Sequence, residues 1–142
     1  MSGRFIICDK TGQWVMALRW AGGSLPIRIY ETRSLWDCRQ ELLQFPASFL
    51  VLEATTANLE SVVQLVGEIS QNHRRARVVV LAERGLGPWE ALLHEAGALH
   101  VAFSPKRLAP LVRMAYRHLP AIVQPEVSLG DAARSRMPWR DE

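Results

Sequence analysis

The chain has 142 residues, which fits one domain and is too short for two domains of ordinary size. With 49% apolar and 22% charged residues it has the composition of a globular protein, and a chain of this length needs neither disulfides nor a metal to fold. The net charge of +3 is mild, and no apolar run is long enough to cross a membrane or to act as a signal peptide. We therefore expect a cytoplasmic protein with no membrane partner.

Two hydrophobic periods alternate along the chain and predict five strands and five helices. Short apolar runs predict strands at 5–8, 49–52, 78–81 and 99–103, and the alternation of apolar and polar residues at 26–31 predicts a half-exposed edge strand. Stretches with apolar residues three and four apart predict helices at 11–21, after Ser34, after Asn58, at 89–96 and at 106–118. Ser34 and Asn58 are the predicted N-caps of the second and third helices, and residues 85–88 are a predicted loop.

This alternation predicts the fold class. Strands separated by helices require right-handed crossovers and a parallel sheet that is covered on both faces. The expected architecture is a flavodoxin-like three-layer α/β/α sandwich with a five-stranded parallel sheet in the order 2-1-3-4-5. The domain is predicted to span residues 1–119, and the proline-containing segment 120–142 is predicted to be a mobile tail.

The two cysteines, Cys8 and Cys38, indicate neither a disulfide framework nor a metal site. Neither belongs to a CxxC pair or has a histidine at zinc spacing, so we expect two buried free thiols. The acidic neighbour of Cys8, Asp9, should raise the pKa of that thiol rather than lower it. The sequence therefore predicts no metal, no cofactor and no cysteine nucleophile.

The residues that follow the predicted strands should converge at one edge of the sheet, where doubly wound folds place their sites. Around them, the segments FIICD, FLVLE, VVVLAE and AGALHVAFSPKRLAPLV make the chain similar to a response-regulator receiver domain of the CheY-like kind. The resemblance covers about residues 4–118. It implies aspartyl phosphorylation supported by Mg²⁺, with an Asp after strand 3, two acids after strand 1, a hydroxyl after strand 4 and a Lys-Pro pair after strand 5.

This chain departs from that pattern at most of the chemical positions. The substituted positions hold Cys8 for an acid, Glu53 for the nucleophilic Asp, Ala82 for the hydroxyl residue and Ser104 for the Lys. Asp9 and Pro105 are retained, and the family's turn at Ser104-Pro105 typically contains a cis peptide bond. The predicted function is that of a non-enzymatic pseudo-receiver, a signalling module that has lost aspartyl phosphorylation.

Two of these residues have alternative interpretations. Asp9 either caps the first helix or remains as a cation ligand. Glu53 is either a phosphate mimic or a carboxylate without a function, and its extra methylene displaces it from the position of a nucleophile. The alternative function is an atypical receiver that still binds a cation or a phosphoryl group through Asp9 and Glu53.

The resemblance also implies a partner surface. In the family, the face of helix 4, strand 5 and helix 5 carries contacts to another protein or to a second copy. Here that surface would consist of Trp89, Leu93, Val101, Arg107, Leu111 and Tyr116. Trp20 lies off the apolar face of its helix and is a further candidate for a contact with a partner.

The only tight basic run is Arg74-Arg75-Ala76-Arg77, after the third helix. Cations are favoured at a helix C-terminus, so we interpret the run as a solvated cap. A nucleic-acid surface is the weaker alternative, since no DNA or RNA motif accompanies it.

Overall fold

The computed structural model describes residues 3–22, 28–105 and 108–119. Within these ranges there are five strands, namely β1 Phe5–Cys8, β2 Ile29–Thr32, β3 Phe49–Ala54, β4 Arg77–Ala82 and β5 His100–Ala102. Five α-helices follow them in turn, namely α1 Gln13–Gly22, α2 Leu35–Gln44, α3 Leu59–Asn72, α4 Glu90–Ala96 and α5 Ala109–His118. Residues 26–27 of the predicted second strand, 106–107 of the predicted fifth helix and the predicted tail 120–142 lie outside the described residues.

All strand pairs are parallel, and the order is β2-β1-β3-β4-β5, which confirms the predicted topology. In the centre, Phe5 of β1 pairs with both Ile29 of β2 and Phe49 of β3. The strands β1, β3 and β4 are buried along almost their whole length, as uniformly apolar central strands must be. Every strand ends at one edge of the sheet, the carboxyl edge, and begins at the opposite one, the amino edge.

The core has two halves, one on each face of the sheet. Alternate residues of each strand point to opposite faces, so Ile6 packs under α2, α3 and α4, while Phe5 packs under α1 and α5. The predicted inward faces of α1 and α5 are confirmed, since Trp14, Leu18 and Leu111 are all buried.

The predicted loop at residues 85–88 is wrong. This segment belongs to a 3₁₀ helix, Arg84–Trp89, that leads directly into α4. Leu86 is 2% exposed and fixes the turn to the core, although glycines flank it. A single buried leucine between two glycines gives no periodic signal, so the sequence pattern favoured a loop.

One of the two predicted N-caps forms. The Ser34 hydroxyl accepts a hydrogen bond from the Asp37 N–H at 3.1 Å, as a capping residue should. Asn58 precedes α3, but its side chain makes no cap bond. Its amide instead accepts from the Thr55 N–H and donates to the Glu53 carbonyl, so it closes the loop after β3.

Candidate functional site

The candidate site lies at the carboxyl edge of the sheet. Its predicted residues follow different strands: Cys8 ends β1, Glu53 is in β3, Ala82 ends β4 and Ser104 follows β5. The parallel topology brings the ends of these strands to one edge, as predicted. The loop after β1 contacts β3 directly, because the Lys10 N–H donates to the Glu53 carboxylate at 3.1 Å.

Asp9 is completely buried, and its carboxylate is turned towards α1. Oδ2 accepts hydrogen bonds from the N–H groups of Trp14 at 2.8 Å and Val15 at 3.1 Å, and Oδ1 accepts from the Thr11 N–H at 3.3 Å. The first N–H groups of a helix have no partner within the helix, and a negative charge there is further favoured by the helix dipole. Asp9 therefore serves as the cap of α1, although Gly12 and not Asp9 directly precedes the helix.

Cys8 is buried on the α2 side of the sheet, as is Cys38 of α2, and both thiols are free. Burial raises the pKa of the Cys8 thiol from 9.0 to about 11, opposed by a hydrogen bond with Thr32 and reinforced by the charges of Glu53 and Asp9. Burial also raises the pKa of Cys38 to about 12. The expectation that Asp9 raises the pKa of Cys8 is correct in direction, but desolvation is the larger cause.

The candidate-site residues that follow β4 and β5 are apolar or only weakly polar. Ala82 is fully buried and faces its register partner Ala54 across β3 and β4. Ser104 is half-buried, and Pro105 is exposed. The described residues contain no cis peptide bond, so the Ser104–Pro105 bond is trans and the cis turn implied by the family resemblance is wrong.

Arg33, at this edge, was missed by the sequence reasoning, and the contact made by Glu83 of the segment VVVLAE was not predicted. Arg33 donates to the Asp9 carbonyl at 2.7 Å and to the Glu31 carboxylate at 2.9 Å, so it holds the loop after β1 against the end of β2. Glu83 accepts from the Thr56 N–H at 3.0 Å and joins the loops after β3 and β4. The contacts with Asp9 and Thr56 link residues that are distant in sequence, and no local pattern indicates them.

Within the described residues, no group of three or more His, Cys, Asp or Glu side chains is arranged to hold a metal ion. No helix among them is long and apolar enough to cross a membrane.

The predicted partner surface on α4, β5 and α5 is largely not a surface. Its three aliphatic members, Leu93, Val101 and Leu111, are at most 6% exposed because they fill the two core halves under α4 and α5. Trp89 is 46% exposed and Tyr116 is half-buried, whereas Arg107 lies outside the described residues.

Several other apolar side chains are exposed. Trp20 is 83% exposed, as predicted, and borders a cleft of about 420 Å³ between α1 and the start of α5. The cleft is lined by Ala17, Trp20, Ala21, Pro105, Leu108 and Ala109. Trp36 is 63% exposed, because α2 buries the opposite face with Cys38 and Leu42.

The arginine run lies in the turn after α3, and the hydrogen bonds of Arg77 are made to that turn and not to the last carbonyls of the helix that the predicted cap would bind. Arg77 donates to the carbonyls of Arg74 and Ala76, both at 2.9 Å, and so closes the turn between α3 and β4. Arg74 and Arg75 extend into solvent.

Comparison with known proteins identifies the class of fold. No protein-family profile matches the chain, and no curated protein matches it. Among solved structures it is similar to a CheY-like protein (TadZ) from Pseudomonas aeruginosa, with a TM-score of 0.60, 18% identity and coverage of 81% of this chain and 94% of the other. An atypical orphan response regulator with a phosphorylation-independent regulatory mechanism gives a TM-score of 0.62, 19% identity and coverage of 82% and 95%.

A third similar structure is a protein provisionally assigned to pilus assembly, from Burkholderia pseudomallei. Its TM-score is 0.61 at 13% identity, and the match covers 84% of this chain and 92% of the other. The chain therefore has the fold of CheY-like receiver proteins, as the resemblance of its strand ends predicts.

Proposed function

We propose that this chain is a non-catalytic, receiver-like signalling module that acts by binding another protein and has lost aspartyl phosphorylation. The observation that carries the proposal is the state of Asp9, the one acid kept at the positions where receivers hold Mg²⁺. Its carboxylate is buried and accepts three N–H groups of its own loop and helix. A carboxylate has about four acceptor sites, so these three bonds leave at most one of them for a cation.

The remaining donors do not fit Mg²⁺, which requires hard oxygen ligands in octahedral array. Cys8 offers a buried thiol whose raised pKa keeps it protonated at neutral pH. Among the described residues, Glu53 is the only other carboxylate at the ends of β1 and β3, and it already accepts from the Lys10 N–H. These side chains do not provide the oxygen ligands that a metal-assisted phosphoryl transfer would need at this edge.

The groups that would stabilise a transferred phosphoryl group are also replaced. Phosphoryl transfer needs positive charge and hydrogen-bond donors on the equatorial oxygens, and loss of one such donor costs about 3 kcal/mol in related chemistry. Ala82 supplies no donor, and Ser104 supplies no charge. Among the similar structures, the atypical orphan response regulator is described as phosphorylation-independent, which makes the same behaviour reasonable for this chain.

The test is incubation of the full chain with Mg²⁺ and a small phosphodonor such as acetyl phosphate, followed by intact mass measurement. We expect no adduct for the native chain and none for Glu53→Asp, which restores the nucleophile but not its surroundings. An adduct on the native chain that disappears in Glu53→Gln would overturn the proposal. It would favour the alternative of an atypical receiver that binds a phosphoryl group through Asp9 and Glu53.

For the partner contact, we propose the exposed side of α4, in place of the buried leucines of the predicted surface. Trp89 and Leu92 are three residues apart, and both are exposed, at 46% and 40%. Aromatic residues with part of their area free are common anchors in protein interfaces. If the partner is a second copy, light scattering over a range of concentrations should show a dimer that Trp89→Ser weakens and Trp36→Ser, on α2, does not.

A further inference from the structure

Arg74, Arg75, Arg77 and Arg117 are exposed and lie at the amino edge of the sheet, opposite the candidate site. Arg74 and Arg75 are in the turn before β4, Arg77 is the first residue of β4, and Arg117 is in the last turn of α5. The start of β4 and the end of α5 both contact the loop before β3. The Arg77 N–H donates to the Ser48 carbonyl at 3.1 Å, and His118 Nε2 lies 3.0 Å from the Ala47 carbonyl.

These arginines are not neutralised within the described part of the chain. None of the four forms an ion pair there, and Arg77 donates only to main-chain carbonyls. In the turns and last helical turns of the amino edge, the described carboxylates are Glu41 and Glu95. Glu41 is already paired with Arg4 at 3.0 Å.

Among the described residues, the opposite edge has the reverse charge, because its accessible acids outnumber its cations: Asp37, Glu53, Glu60, Glu83 and Glu90 against Lys10, Arg33 and Arg84. The domain therefore presents a basic surface at one end and an acidic surface at the other. Such a separation orients the molecule in the field of a negatively charged surface.

Exposed aliphatic side chains accompany the arginines. Leu99 is 48% exposed, and its N–H donates to the Val78 carbonyl at 2.7 Å, which places it beside Arg77. Leu43 is 58% exposed and lies in the last turn of α2. We call Arg74, Arg75, Arg77 and Arg117, together with Leu43 and Leu99, the amino-edge surface.

We infer that the amino-edge surface docks on the headgroup region of an anionic lipid bilayer, in contrast to the expectation from sequence that the chain has no membrane partner. Clustered arginines are attracted to the negative surface potential of such a bilayer, and exposed leucines gain from burial at the headgroup boundary. No spanning helix is needed for this mode of binding. The inference is independent of the proposed loss of phosphorylation.

The side chains at this edge favour lipid over nucleic acid. Binding of single strands relies on free aromatic faces on which bases stack. The aromatic rings of Tyr30 and Phe45, near this edge, instead enclose the Arg4 guanidinium, with its carbon 3.9 Å and 3.7 Å from the two ring centroids. The exposed apolar residues beside the arginines are leucines, which insert into lipid but do not stack.

The test is co-sedimentation of the full chain with vesicles of phosphatidylcholine, alone or mixed with phosphatidylserine. We expect binding only to the mixed vesicles, and it should weaken as salt is raised. Arg74→Ala with Arg75→Ala should reduce the partition coefficient about 25-fold, at about fivefold per arginine. The matched control is Lys10→Ala with Arg84→Ala, which removes the same charge from the carboxyl edge and should change partitioning by no more than about twofold.

A second variant separates lipid insertion from charge attraction. Leu99→Ser keeps every charge, and it should weaken binding to the mixed vesicles severalfold without altering the salt dependence. Thermal melts check that each variant is folded. The inference is overturned by absence of binding to the mixed vesicles, by equal losses in the two double variants, or by Arg74-dependent binding to DNA in the absence of vesicle binding.

Discussion

The main-chain N–H of Lys10 donates a hydrogen bond to the carboxylate of Glu53 at 3.1 Å. This contact joins the loop after β1 to the end of β3, at the place where receiver proteins carry out their chemistry. With Asp9 turned towards α1, hydrogen bonds within the chain hold the loop after β1 at the carboxyl edge. Replacement of Asp9 or Glu53 should therefore be detected first as a change of stability.

The first prediction concerns Asp9. Asp9→Ala should lower the free energy of unfolding by about 2 kcal/mol, because two buried N–H groups of α1 lose their acceptor. Urea denaturation measures the effect. The matched control is Asp37→Ala in the first turn of α2, where an exposed acid contributes through the helix dipole and its loss should cost about 0.5 kcal/mol. Equal effects of the two substitutions would show that Asp9 is not a cap of this importance.

The second prediction concerns the thiols. The folded-state pKa values of Cys8 and Cys38, about 11 and about 12, lie above the ordinary value of 9.0. Folding therefore favours the neutral thiols, so their contribution to stability is complete below pH 9 and is lost as the pH rises towards 11 and 12. Denaturation at a series of pH values should show this decline, and Cys8→Ala with Cys38→Ala should make it less steep.

The same thiols should be unreactive in the folded protein. At about pH 8, a thiol reagent such as iodoacetamide should modify neither Cys8 nor Cys38 until urea unfolds the chain, since the thiolate is the nucleophile and both groups are buried. Rapid modification of the native protein, followed by mass measurement, would contradict the burial of these side chains.

The third prediction concerns the enclosure of Arg4. Its guanidinium lies between the rings of Tyr30 and Phe45 and also pairs with Glu41 at 3.0 Å. Arg4→Ala should cost about 2 kcal/mol, and Arg4→Lys about 1 kcal/mol, because an ammonium cannot stack its plane on two rings. Urea denaturation is again the measurement. Arg75→Ala, at an exposed arginine without a partner among the described residues, should change stability by less than about 0.5 kcal/mol.

The fourth prediction uses two glycines as a matched pair. Gly97 ends α4 with φ at +128°, and a Cβ at this position would overlap the Ser70 hydroxyl on α3. Gly97→Ala should therefore destabilise the fold by about 2 kcal/mol or more. Gly67 lies inside α3, and an alanine Cβ there would meet no neighbouring atom within 4 Å, so Gly67→Ala should stabilise the protein by about 0.5–1 kcal/mol. Thermal melts of the two variants should shift in opposite directions.

The sheet could be predicted from sequence because its strands are short apolar runs that have few alternatives. Only a central strand, covered by helices on both faces of the sheet, buries every side chain of an apolar run such as Phe5–Cys8 or the stretch that begins at Phe49. The helices were located by the same reasoning, and their inward faces followed from spacing. The exposure of their outward residues could not be predicted in the same way. Trp36 lies on the outer face of α2 and is exposed, despite the general preference for burying aromatic residues.

The site could be predicted only as a set of positions. The topology brings Asp9 and Glu53 to one edge, and that much follows from strand order. Whether the Asp9 carboxylate faces a cation or α1 depends on loop geometry that local patterns do not encode. The same limit explains Asn58, whose type favours a cap but whose amide closes a loop, and Leu93, whose burial is decided by contacts with α3 that are distant in sequence.

The two outermost strands of the sheet are short. β2 has four residues and β5 has three, and each pairs with a neighbour on one side only among the described strands. An unpaired strand is a template on which another chain can add, and the risk grows with the number of free main-chain groups that it presents. Few such groups are available on β2 and β5, so these strands are poor templates for the strand-by-strand growth that leads to amyloid. This holds even though the central strands have the apolar composition that favours amyloid.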